Sequence, residues 1–223
     1  MPMLSDSDEM NVGPSGGDRL DAKVPVTKSY LTNKAWVEHI KGVIEKGQRL
    51  EHERLLGPFF REDAPYRAKI TPPHEDGIVL VIKGRVWAHD TKEPLGGAKM
   101  NVWQADKHGH YDNEGPKHSP EHSFINRARI YCDRHGYYEF ETIHPGPYKR
   151  DGVWRAPHIH FLVEYSGYTP MVTQLFFIGD PRLDEDPFRE DSLTIQLREM
   201  QRNGKKYKEG VFDIVLTAET PET

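Results

Sequence analysis

From Gly77 onward the chain is a series of short β-branched and aromatic runs, each closed off by Gly, Pro, Asn or Asp, and this punctuation is the tightest constraint on its fold. The runs are Ile78 to Trp87, Lys99 to Trp103, Tyr137 to Thr142, His158 to Val163, Val172 to Phe177 and Val211 to Leu216. Several runs of strand length separated by turn signals predict an antiparallel β-sandwich or barrel. Ser192 to Gln201 reads as a short helix before the last strand.

The upstream third has a different texture. Residues 1–28 carry Ser, Asp, Gly and Pro with few large apolar groups, so they cannot bury enough surface to offset ordering entropy and read as a flexible tail. Trp36, Ile40, Val43, Ile44 and Leu50 recur at helical spacing and predict a helix over 33–52 that needs a packing partner, in its own domain or another subunit. Leu56-Gly57-Pro58-Phe59-Phe60 follows as an ordered crossing loop. The expected fold is mainly β: an antiparallel sandwich or barrel over 71–220, preceded by a short N-terminal helical arm and loop over 29–70.

Composition excludes several partners. The net charge of -5 gives no pull toward nucleic acid, and no apolar run is long enough for a transmembrane helix. The first thirty residues lack the basic-then-apolar pattern of a secretory leader. Cys132 is the sole cysteine, which rules out an intramolecular disulfide and any thiolate zinc or iron–sulfur site, and fits a cytoplasmic setting.

The densest chemistry lies in Pro145-Gly146-Pro147-Tyr148 and Trp154-Arg155-Ala156-Pro157-His158-Ile159-His160-Phe161. In a strand, His158 and His160 point to the same face, where they form either half of a metal site or part of a solvated surface. With no thiolate partner and no His-Glu-x-x-His, further ligands must come from Asp, Glu or Tyr. Spacing alone does not pick Tyr111 and Tyr148 out of the ten tyrosines. Trp103 and Trp154 read as core anchors. His108, His110 and His144 read as loop residues close in sequence to these segments, and His118 and His122 as loop positions.

Taken in order, these segments resemble the intradiol ring-cleaving catechol dioxygenases over Gly57 to Leu216. The resemblance is carried by Leu56 to Phe60, Gly84-Arg85-Val86, Pro94 to Ala98, Val102 to Asp106 and Gly109-His110-Tyr111. It continues through Asp133 to Tyr138, Thr142 to Tyr148, Trp154 to Phe161, Thr173 to Phe177, Gly179-Asp180-Pro181 and Phe212 to Leu216. It implies one non-haem iron(III) per chain held by Tyr111, Tyr148, His158 and His160. It implies O2 as co-substrate and cleavage of a catechol to a cis,cis-muconate-type diacid. Tyr148, Arg155 and Gln174 carry over as active-site residues, and Gly57, Pro58 and Phe59 as the loop bordering the substrate. It also implies a homodimer joined through the N-terminal helical part. The Gly-Pro-Phe loop and helical arm favour catechol or hydroxyquinol over a carboxylated ring, which would need a pocket cation such as Arg61, Arg67 or Lys69. Two rivals stand beside this reading: a non-catalytic sandwich module, and an extradiol iron(II) site completed by Asp106 or Glu164.

Overall fold

The computed structural model describes residues 55–114 and 124–219. The expected tail, the helix over 33–52, His118 and His122 lie outside them. The described residues form twelve strands: β1 (Val79–Ala88), β2 (Lys99–Gln104), β3 (Arg127–Tyr131), β4 (Tyr137–Ile143), β5 (Tyr148–Arg150), β6 (Val153–Arg155), β7 (His158–Tyr165), β8 (Tyr168–Phe177), β9 (Thr194–Ile195), β10 (Arg198–Arg202), β11 (Lys205–Val211) and β12 (Ile214–Leu216). One sheet runs β10-β11-β1-β12 with β4 on the other edge of β1, and the second runs β3-β2-β7-β8-β9. β5 and β6 form a separate hairpin.

Alternation along the strands builds the sandwich. Leu80, Ile82 and Val86 of β1 are buried, as are Phe140 of β4 and Ile214 of β12. They join Val102, Ile159, Phe161, Val163 and Leu175 of the second sheet in one core. Most pairings are antiparallel, as the alternating runs imply, but β11 and β12 lie parallel to β1 in succession along its length. Where one hands over to the other, Phe212 N–H donates to Lys83 O and Arg85 N–H to the Asp213 carboxylate. The Phe212 carbonyl, which accepts from Tyr138 Oη, presses so close to Gly84 that a Cβ there would overlap it.

β7 is buried on both faces over His158–Val163, as are the neighbouring stretches of β2 and β8. Ile159, Phe161 and Val163 face the sandwich core. The opposite face packs with a second apolar cluster of Leu55, Trp103, Tyr111, Leu162 and Val172, joined by Phe59 and Phe60. The loop at 55–60 thus converts an outer strand face into an interior one.

The helix expected over 192–201 is not formed. A 3-10 turn at Asp191–Leu193 leads into β9, and β10 pairs with β11 across a turn at Asn203 and Gly204, both at positive φ. Asn-Gly is the strongest short hairpin signal and sets β10 against β11, while Ile195 and Leu197 pack on the core from extended chain. No helix among the described residues is long and apolar enough to cross a membrane.

Gly84→Ala should therefore cost about 3 kcal/mol or more, because backbone must move. Tyr138→Phe, which deletes one hydrogen bond, should cost about 1 kcal/mol. Urea unfolding curves check the ranking; equal losses would contradict the close approach at Gly84.

Candidate metal centre

Register brings the two imidazoles and their supports together. Trp103, His160 and Gln174 are lateral neighbours across β2, β7 and β8, and His158 pairs with Phe176 in the next same-face row. The Trp103 indole stacks on the His160 ring at 4.8 Å and 9°. Trp103 is thus a packing anchor that also fixes an imidazole plane.

Each imidazole has its tautomer fixed by backbone. His158 Nδ1 lies 2.6 Å from Ala156 O, and His160 Nδ1 lies 3.1 Å from Leu55 O. A carbonyl oxygen only accepts, so both Nδ1 atoms carry the proton and both Nε2 atoms carry a lone pair. Those two Nε2 atoms face each other at 3.1 Å. Neither neutral ring has a proton to place between them. Burial, reinforced by Arg155, holds His158 down at about 3. Burial and the neighbouring His158 hold His160 well below the usual histidine range. Two converging lone pairs in a buried site are suited to hold a cation.

Two phenol rings lie against these imidazoles. Tyr148 Oη lies 3.5 Å from His158 Nε2. Tyr111 stacks on Phe59 at 4.1 Å and meets the rings of Tyr148 and His160 edge-on. Tyr111 Oη is fully buried and has no hydrogen bond of normal geometry, even to the adjacent Tyr148 hydroxyl. Burial pushes both phenols up, Tyr111 the further because Tyr148 sits beside it. Ionised phenolate here requires a cation of high charge density. Among the described residues no cluster of three or more His, Cys, Asp or Glu offers a competing metal site.

Two turns hold the tyrosines in place. The Asp106 carboxylate accepts from the backbone N–H of His108 and His110, and Gly146 N–H donates to Asp106 O. Gly109, at φ +86°, lies against the Pro147 carbonyl and Tyr148 Cβ, where any side chain would collide. His108 and His110 are exposed spacers of this turn. His144 is half-buried against Phe177, with Nδ1 at 3.0 Å from Pro145 O.

A cleft of about 310 Å³ opens beside this cluster, lined by Leu55 through Phe59, Tyr148, Arg155, His160, Gln174 and Phe188 among others. The predicted loop residues Gly57, Pro58 and Phe59 therefore do border it. Arg155 lies in its wall with every edge engaged. Nη2 donates to Gln174 Oε1 at 2.6 Å, Nη1 faces Tyr148 Oη at 3.5 Å, and the guanidinium sits 4.4 Å from the Phe188 centroid.

Several partners were not readable from sequence. Asp186, with a fully buried side chain, accepts from Arg155 Nε at 3.0 Å, Ala156 N–H at 2.8 Å and Phe188 N–H at 2.9 Å. It fixes the arginine, the turn before His158 and the Phe188 wall at once. Asp112 and Arg127 form a second buried pair, and Arg127 Nη1 donates to Phe59 O at 2.7 Å, tying the loop to the strand behind Tyr111. Neither acid stands out by spacing. The only hint was their position beside segments already singled out.

Residues 55–218 match the family described as Dioxygenase. The chain belongs to the intradiol ring-cleavage dioxygenases. It is 29% identical over 185 residues to a chlorocatechol 1,2-dioxygenase of Rhodococcus opacus, covering 73% of this chain and 70% of that one. Other curated relatives are matched over about half their length. Among solved structures it resembles catechol 1,2-dioxygenase from Pseudomonas arvilla C-1, at TM-score 0.67 and 26% identity over 74% of this chain and 62% of that one. It also resembles the dioxygenase domain of a dioxygenase carbohydrate-binding protein fusion from Streptomyces sp. SirexAA-E, at TM-score 0.61 and 31% identity over 73% of this chain and 95% of that one.

Removing the carboxylate of Asp186 leaves the Arg155 charge buried and unpaired. Asp186→Ala should cost about 3–5 kcal/mol in denaturant unfolding. A loss under about 1 kcal/mol would mean that solvent reaches Arg155 freely.

Proposed function

We propose that this protein is an intradiol dioxygenase that uses O2 to open a catechol-type ring between its two hydroxyl-bearing carbons, giving a cis,cis-muconate-type diacid. The proposed cofactor is one non-haem iron(III) per chain, with Tyr111, Tyr148, His158 and His160 as ligands. The observation that carries this reading is the convergence of two unprotonated Nε2 atoms and an unsatisfied buried phenol beside an aromatic-walled cleft. Two tyrosinates with neutral imidazoles suit a hard trivalent cation, because they offset most of its charge in a site that water cannot screen. When bound, the ferric ion supplies the Lewis acidity that lowers the pKa of the phenols and of the diol.

The chain's own residues take distinct parts. Tyr111 is enclosed and off the cleft lining, so its role is to hold the metal. Tyr148 lines the cleft, so its oxygen is the one positioned to take a proton from an incoming diol. Arg155 Nη1 faces that same oxygen, and its permanent charge stabilises negative charge developing on the ring. Gln174 and Asp186 hold the guanidinium plane. Leu55, Leu56, Pro58, Phe59 and Phe188 pack the ring and keep water out. In the same reading, residues 71–220 are the catalytic unit, the loop at the end of the 29–70 segment borders the pocket, and the enzyme is a homodimer. An extradiol arrangement has little support: Asp106 caps a turn and Glu164 is paired with Lys99 at 3.0 Å.

Iron-loaded protein should show a visible tyrosinate-to-iron(III) band that shifts when catechol is added without O2. Admitting O2 should then consume one equivalent and yield muconate. Tyr111→Phe should bleach or shift the resting band. Arg155→Ala should keep it and lower turnover about 100-fold or more. A colourless iron-loaded protein, or a yellow semialdehyde product, would overturn the proposal.

A further inference from the structure

The three cations that sequence nominated for a carboxylated substrate are all engaged elsewhere. Arg61 meets Asp112 at 3.5 Å and lies over the Phe124 ring. Arg67 donates to the carbonyls of Ile70 and Arg127 at 3.0 and 3.1 Å. Lys69 pairs with Glu141 at 2.6 Å. None of the three lines the cleft.

A different cation does. The β5–β6 hairpin pairs Tyr148 with Arg155, Lys149 with Trp154, and Arg150 with Val153. Strand alternation puts Tyr148, Arg155, Arg150 and Val153 on one face, and all four line the cleft. Lys149 and Trp154 take the other face, where the indole is packed by Lys149 and, at 4.1 Å, by Arg182. That packing holds the outer face of the hairpin and leaves Arg150 on the cleft side. Two strand residues at about 3.3 Å each set Arg150 roughly 6–7 Å beyond Tyr148 along the hairpin, comparable to the span of a substituted benzene ring.

The Arg150 guanidinium lies 5.8 Å from the Phe59 centroid, and Phe59 is stacked on Tyr111. Its charged neighbour at the turn is Asp151, which meets Nε at 3.5 Å from a side chain that is 91% exposed. That separation exceeds a charge-assisted hydrogen bond, and such an exposed pair is weak. Arg155, the other cation in the cleft, is held at the Tyr148 end by buried Asp186 and by Gln174.

We propose that Arg150 is a specificity-determining residue, and that the preferred substrate is a catechol carrying a carboxylate on the ring edge turned toward the cleft mouth. This rests on the intradiol reading and narrows it: the Gly-Pro-Phe wall alone favours a bare ring, whereas the hairpin adds a cation for an anionic substituent. Phe59 and Phe188 wall the cleft around the ring, Arg155 serves the diol end, and Arg150 pairs with the carboxylate. Because Arg150 is half exposed, its effect is screened by salt.

The test compares catechol with 3,4-dihydroxybenzoate on the iron-loaded protein. The shift of the visible band without O2 gives each Kd, and O2 uptake gives each KM. The wild type should favour the carboxylated diol at least tenfold, and the preference should shrink on going from 20 to about 500 mM salt. Arg150→Gln should reduce the preference at least tenfold, and Arg150→Lys should recover part of it. If catechol is cleaved with equal or better affinity, or if Arg150→Gln leaves the ratio unchanged, the role of Arg150 is wrong while the intradiol reading stands. If neither diol shifts the band nor consumes O2, both fall.

Discussion

Two backbone carbonyls decide what this site can be. Ala156 O and Leu55 O each take the Nδ1 proton of a buried histidine, and that leaves two Nε2 lone pairs facing one another inside the protein. Lone pairs so close repel one another, and a cation between them would relieve that repulsion. The surrounding structure serves the same end. The Trp103 ring fixes one imidazole plane, the Asp106 turn packs its backbone against the segment carrying Tyr148, and the 55–60 loop seals the strand face from water. Leu55 ties these tasks together, since its carbonyl fixes His160 and its side chain lines the cleft.

The sandwich behind the site is the source of this precision. β7 packs Ile159 and Phe161 into the main core, so the intervening His158 and His160 are held by one of the most constrained strands in the molecule. The two phenols arrive from outside that strand, one from the turn after β2 and one from the β5–β6 hairpin. Close backbone contacts at Gly109 and Gly146 lock those two segments against each other. Elements with different roles are thus coupled mechanically, with Arg155 and its buried Asp186 bridging hairpin, strand and cleft wall.

Much of this was legible in the chain itself. Period-two spacing put both imidazoles on one face, and the alternating runs gave the sandwich, because those signals are local. The four proposed ligands came from the order of motifs, and their rings lie against one another in the structure. What escaped sequence reading was long-range. Asp186 lies thirty-one residues from its arginine, and no spacing rule links them. Arg150 carries no signal in the sequence, and only the hairpin register sets it on the cleft face. The stretch from Ser192 to Gln201 failed for the opposite reason: a helix-favouring composition was overridden by the Asn-Gly turn that follows it and by pairing with β11.

The central claim is that both phenols and both imidazoles bind one ferric ion. Anomalous diffraction at the iron absorption edge, from crystals of iron-loaded protein, tests it most directly. The account predicts a single strong peak within bonding distance of Tyr111 Oη, Tyr148 Oη, His158 Nε2 and His160 Nε2. A peak bonded to the histidines but remote from Tyr111, or one elsewhere in the molecule, would contradict it.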